Sequence, residues 1–193
     1  MREARPLRVL LDANVLYPTV MREVCLGCAG LGLFEPLWSA RILEEWARAA
    51  ARLGPEGEAV ARAEVAAARQ SFPHAEVRVP EGAERRLWLP DPGDVHVLAA
   101  AVAGSADAIL TANARDFPRG VLAGEGLVRL DPDYFLSGLA EGAPEAVGGV
   151  VDASVAEARR LSGEGWTRRS LLRKARLNLL ARTLTRLDGQ AAS

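Results

Sequence analysis

Residues 89–118, LPDPGDVHVLAAAVAGSADAILTANARDFP, decide the fold class. The opening LPDPGD is a Pro/Gly-punctuated turn, and DVHVLAAAVAG reads as a helix that Gly104 ends. Ala108–Thr111 follows as a short, continuously apolar strand buried on both faces. The segment TANARDF then delivers Thr111, Asn113 and Asp116 just past that strand. Asp94 stands at the helix start, where a carboxylate favours the positive end of the helix dipole. It shares a face with Leu98, Ala101 and Val102, so it looks inward, whereas His96 falls on the opposite side and is expected at the surface or in a local hydrogen bond. The small residues Ala99, Ala100 and Ala101 let such a helix approach a sheet closely.

The same alternation of strand and helix extends upstream. Leu7–Leu11 is a buried parallel strand leading straight into Asp12, and in open α/β sheets ligands bind at the carboxyl edge of such strands. Thr19–Leu31 reads as a helix closed by Gly30 and Gly32, and Phe34–Trp38 as a short extended piece. Ser39 is a good N-cap for SARILEEWARAAARL, in which Ile42, Leu43, Trp46, Ala49, Ala50 and Leu53 share one face at about 100° per residue. Glu45 falls at the margin of that stripe and reaches a pocket; Glu44 points away toward water. A second alanine-rich helix enters through Pro55 and stops at Pro73. Glu76–Val79 and Leu127–Leu130 are further strand candidates, and PDYFL opens another helix. From about Ser137 the character changes to a helix over Pro144–Leu161, an SGEGW break, and one basic helix over Thr167–Leu187.

Bulk properties bound the function. A chain of 193 residues that is 49% hydrophobic buries a proper core and forms one main domain, here 1–136, with a helical appendage over 137–193. A net charge of −1 gives no global basic field, so nucleic-acid contacts must come from local clusters. No run approaches the roughly 18 apolar residues of a membrane span, and MREARPLRVLL is too charged and short for a secretory signal, so a cytoplasmic protein is expected. Cys25 and Cys28 form a C-x-x-C, but a closed zinc site needs four ligands, and His74 and His96 stand far from zinc spacing; the pair reads as core packing.

The chemistry lies in Asp12, Glu45, Asp94 and Asp116, which this alternation aims at one sheet edge. Gathered carboxylates repel, and burying like charge costs several kcal/mol per group unless a cation neutralises it. Hard divalent ions with oxygen ligands most often serve phosphate-ester chemistry. An aspartyl-phosphate phosphatase or phospho-receiver is disfavoured, because Asn14 stands where a second Asp is needed and the sole lysine, Lys174, lies in the tail.

The pieces VLLDANVLYP, WSARILEEW, LPDPGDVHVLAAAVAGSADAILTANARDFP and PDYFL, chained from Leu7 to about Leu136, resemble the PIN-domain ribonucleases, and within them the VapC toxins of toxin–antitoxin pairs, in a subgroup with a helical C-terminal extension. The resemblance implies a three-layer α/β/α fold around a mostly parallel sheet. It implies a Mg²⁺- or Mn²⁺-dependent endoribonuclease leaving a 5′-phosphate and a 3′-hydroxyl. Asp12, Glu45, Asp94 and Asp116 would be catalytic, with Asp12, Asp94 and Asp116 on the metal. Helical phase and resemblance agree on Glu45 over Glu44. Many relatives place an acid where this chain has Asn113, which leaves the fourth position to Asn113 or Asp116; others have an Asp at the position of Gly93, for which Asp91 is a nearby substitute. Asn14, Thr111 and Asn113 would orient the carboxylates, and Arg115 and Arg119 would meet RNA phosphates. The implied partners are RNA, a cognate antitoxin and a second copy of the chain. The alternatives are a PIN-like module that binds RNA or protein without cutting, and a housekeeping RNA-processing nuclease.

Overall fold

The computed structural model describes residues 5–191. The elements, in chain order, are β1 (Arg8–Leu11), α1 (Ala13–Leu16), α2 (Thr19–Gly30), β2 (Glu35–Ser39), α3 (Ala40–Ala50), α4 (Pro55–Ser71), β3 (Glu76–Val77), α5 (Val95–Ala103), β4 (Ala108–Leu110), α6 (Arg119–Gly124), β5 (Val128–Leu130), α7 (Pro132–Gly142), α8 (Pro144–Ser162), α9 (Arg168–Lys174) and α10 (Asn178–Ala191). They gather into two compact units, one of residues 5–17 and 34–130, the other of 18–33 and 131–191. Residues 1–4 and 192–193 of the expected domain spans, and the side chain of Leu53, lie outside the described residues.

The first unit holds a five-stranded sheet in the order β3-β2-β1-β4-β5, with every pairing parallel. Val9, Leu10 and Leu11 are fully buried at its centre, and Leu10 lies in register with Leu37 on one side and Ile109 on the other. Right-handed crossovers put α3 and α4 on one face and, because the strand order reverses between β1 and β4, α5 and α6 on the other. The result is the three-layer α/β/α, PIN-like arrangement. That reversal is the topological switch point, where open sheets bind ligands.

Local chemistry explains the boundaries. Ser39 Oγ accepts from Ile42 N at 3.2 Å, capping α3 as its position suggests. Asp91 accepts from Gly93 N at 2.7 Å and closes the turn that launches a short 3₁₀ segment, Pro92–Asp94, ahead of α5. Ala99, Ala100 and Ala101 are buried where α5 packs on β1, β2 and β4. At its end Gly104 admits no side chain, since a Cβ there would meet Val77 Cγ2 at 2.7 Å. The edge strand β3 is only two residues long, shorter than the expected Glu76–Val79.

The second unit is helical. Cys25 and Cys28 are buried free thiols on α2, and burial pushes Cys28 up to about 12, which fits inert packing. Asp131 caps α7 by accepting from Asp133 N and Tyr134 N. The expected single basic helix over Thr167–Leu187 is corrected to two. Arg176 adopts a left-handed φ of 62° and the Leu177 N–H closes back on Leu172 O at 2.8 Å, ending α9 before α10 begins.

Candidate active site

Neighbouring strand ends build the site. Asp12 ends β1 and its backbone N–H bonds Leu110 O at 3.1 Å, so Asp12 and Thr111 stand side by side at the switch point. Asp12 is only 5% exposed, and its Oδ2 accepts from Asn14 Nδ2 at 2.5 Å and from Thr111 Oγ1 at 2.7 Å. The Thr111 hydroxyl also accepts from Asn14 Nδ2 at 3.1 Å and from Asn113 N at 3.0 Å. One donor and two lone pairs are thereby all used. Asn14 Oδ1 accepts from Ala112 N at 3.0 Å, which fixes the orientation of its amide. Burial pushes the Asp12 carboxyl above its ordinary range, the Thr111 and backbone hydrogen bonds oppose it, and the charge of Glu45 adds to the rise.

The helix-start turn and the loop after β4 supply the next carboxylates. Asp91, Asp94 and Asp116 each bring an oxygen within 4.8 Å of the others. Asn113 Nδ2 bridges two of them, donating to Asp116 Oδ2 at 2.6 Å and reaching Asp94 Oδ2 at 3.5 Å. Asp94 is pushed up to about 6, first by burial and then by the charges of Asp12, Asp91 and Asp116. Asp12 does not join the compact trio but acts on Asp94 through space.

Glu45 and Glu44 separate as helical phase requires. Glu44 is bound by Arg48 and Arg62 away from the site, which hold it down at about 2. Glu45 Oε1 lies 2.9 Å from His96 Nε2 and 3.3 Å from Arg41 Nε. Burial works to raise the Glu45 pKa, but His96 and Arg41 outweigh it and hold the carboxyl below its ordinary value. Arg41 also reaches Gly93 O at 3.5 Å and Glu84 at 3.6 Å, tying α3 to the turn before Asp94.

Of the surface or local hydrogen-bonding role expected of His96, the surface half is corrected: the residue is 4% exposed and lies against Glu45. Its approach to Glu45 is close but off the line of an ideal hydrogen bond, and Nδ1 has no partner among the described residues. The helix VHVLAAAVA is apolar all round, and such a helix is covered on every side, so phase opposite Asp94 does not mean solvent. Sequence reasoning missed Arg41 altogether, though its spacing of four from Glu45 was a usable signal. Arg115 and Arg119 are exposed, with no ion pair among the described residues.

The donor set fits a hard divalent cation. It is all oxygen, anionic and convergent, and Asp94 carries the mark of unneutralised neighbours. A family model of the PIN domain matches residues 8–115, and the chain belongs to that family. The match suggests a nuclease, since PIN domains are generally metal-dependent nucleases acting on RNA. No curated protein and no solved structure gives a significant match. Among the described residues no helix is long and apolar enough to cross a membrane.

Proposed function

We propose that the protein is a Mg²⁺- or Mn²⁺-dependent endoribonuclease, the toxin of a type II toxin–antitoxin pair, acting in the cytoplasm. The observation that carries the nuclease reading is the clustering of Asp91, Asp94 and Asp116, whose oxygens lie within 4.8 Å of one another, with Asp94 raised to about 6 by burial and then by the charges of Asp12, Asp91 and Asp116. Asp12, Asp94 and Asp116 would hold the cation, with Asp91, clustered with Asp94 and Asp116, as a further ligand on the exposed side. When bound, the cation supplies neutralising charge to the phosphodiester and acidifies a water.

The remaining work falls to the chain. Glu45, kept ionised by His96 and Arg41, accepts the proton of the attacking water. Thr111 and Asn14 hold the Asp12 carboxylate in one orientation, and Asn113 spaces Asp94 from Asp116. Arg115 and Arg119, exposed beside the loop after β4, take RNA phosphates, and the products carry a 5′-phosphate and a 3′-hydroxyl. The toxin reading rests on the likeness of the four sequence pieces to VapC proteins, and it brings with it an antitoxin partner and a homodimer.

The test is cleavage of RNA in Mn²⁺ by the Asp12→Asn and Asp94→Asn proteins. Both should lose cleavage while keeping the far-UV circular dichroism of the parent. Undiminished cleavage in either would defeat the assignment.

A further inference from the structure

The second unit carries a groove of about 580 Å³ between α9 and α10, and its lining shares no residue with the acidic site. Arg169 and Arg173 line it from α9, and Arg182 and Arg186 from α10, with no carboxylate in the lining among the described residues. The turn at Arg176 creates it. On one continuous helix Arg169 and Arg182 would stand about 20 Å apart along the axis, whereas the left-handed Arg176 folds the two arginine pairs onto one cleft.

The nearby acids are already engaged. Asp152 and Asp188 both bind Arg168, and Glu141 binds Arg186. Arg169, Arg173 and Arg182 are exposed and have no acidic partner among the described residues. Spacing of four along each helix keeps each pair on one face, and Asn178 and Thr185 add hydrogen-bonding groups to the α10 face. Like charge so arranged repels, and an anionic ligand relieves that repulsion.

We propose that this groove binds the phosphodiester backbone of a nucleic-acid strand. Guanidinium forks match phosphate oxygens in pairs. Among the described residues the lining holds no aromatic residue on which a base would stack, and its sole apolar member is Ala181, so recognition is of backbone and not of sequence. The same absence argues against an acidic protein segment, since peptide grooves draw their affinity from large apolar anchors. The proposal stands whether or not the acidic site cuts RNA.

The test uses the full chain in EDTA, so that cleavage plays no part. A labelled single-stranded RNA, the DNA of the same sequence and a polyglutamate peptide are titrated across a salt series. The Arg169→Gln/Arg173→Gln/Arg182→Gln protein should bind both nucleic acids roughly tenfold or more weakly, with a salt slope shallower by about 2, since each lost phosphate contact removes about 0.7 for a single strand. The corresponding triple lysine protein should keep the parental slope. Should the triple variant fail to fold, Arg173→Gln and Arg182→Gln singly should each lower the slope by about 0.7. Unchanged nucleic-acid affinity and slope would overturn the proposal, as would loss of polyglutamate binding with RNA binding intact.

Discussion

Asp94→Asn should reverse the stability ranking of mutant and parent between metal-free and metal-loaded conditions. Asp94 and Asp116 each bring an oxygen within 4.8 Å of the other, with no ion pair to either among the described residues. Two unit charges at that distance repel by about 3 kcal/mol at an effective dielectric near 20 and by about 1 kcal/mol in water. Both groups are half-buried, and screening by solvent brings the expected cost to roughly 1–2 kcal/mol. The Asp94 side chain makes no capping bond to α5, and its contact with Asn113 is long at 3.5 Å, so the amide forfeits little. In EDTA at pH 8 the mutant should therefore melt about 3–6 °C above the parent. Mn²⁺ at about 100 times its dissociation constant should stabilise the parent by about 2.7 kcal/mol, or 5–10 °C, and the mutant hardly at all. Thermal denaturation followed by circular dichroism, with and without Mn²⁺, reads both effects. A mutant that melts lower than the parent in EDTA, or that gains as much from Mn²⁺, would refute the reasoning.

Three other outcomes follow from the same geometry. Asp94 titrates in the fold near 6 against an ordinary 3.8, so the metal-free protein should gain stability from this group as pH falls through 6 toward 4 and lose it on the return; Asp94→Asn should flatten that window in urea titrations. His96→Gln removes a group that holds the Glu45 carboxyl low, so the acid limb of the pH–rate profile for RNA cleavage should move to higher pH; an unmoved limb would show that Glu45 is not the base. Thr111→Val leaves Asp12, Asn14 and Asn113 short of a partner and should cost about 1–3 kcal/mol in equilibrium unfolding, with cleavage reduced as Asp12 loses its orientation.

What could be read from the chain alone was whatever short-range chemistry decides. Asp12 and Thr111 stand at the ends of short apolar runs that fit buried parallel strands, and the 100° step of a helix tells Glu45 from Glu44. Helical phase alone does not place His96, because the middle of α5, from His96 to Ala101, is buried at every position. The break between α9 and α10 left no mark because the left-handed position is filled by Arg176, where glycine or asparagine would have announced it. Asp91 could be reached only as a neighbour of Gly93, since its distance to Asp116 depends on two loops whose paths no periodicity encodes.

The last rungs of the sheet ladder, from Asp12 N to Leu110 O and from Thr111 N to Leu130 O, sit directly beneath the proposed site. Side chains rooted there inherit the rigidity of the most deeply covered backbone, while Ala114, Arg115 and Arg119 lie exposed beyond it. Those three exposed positions can therefore vary without retuning the anchorage of Asp12.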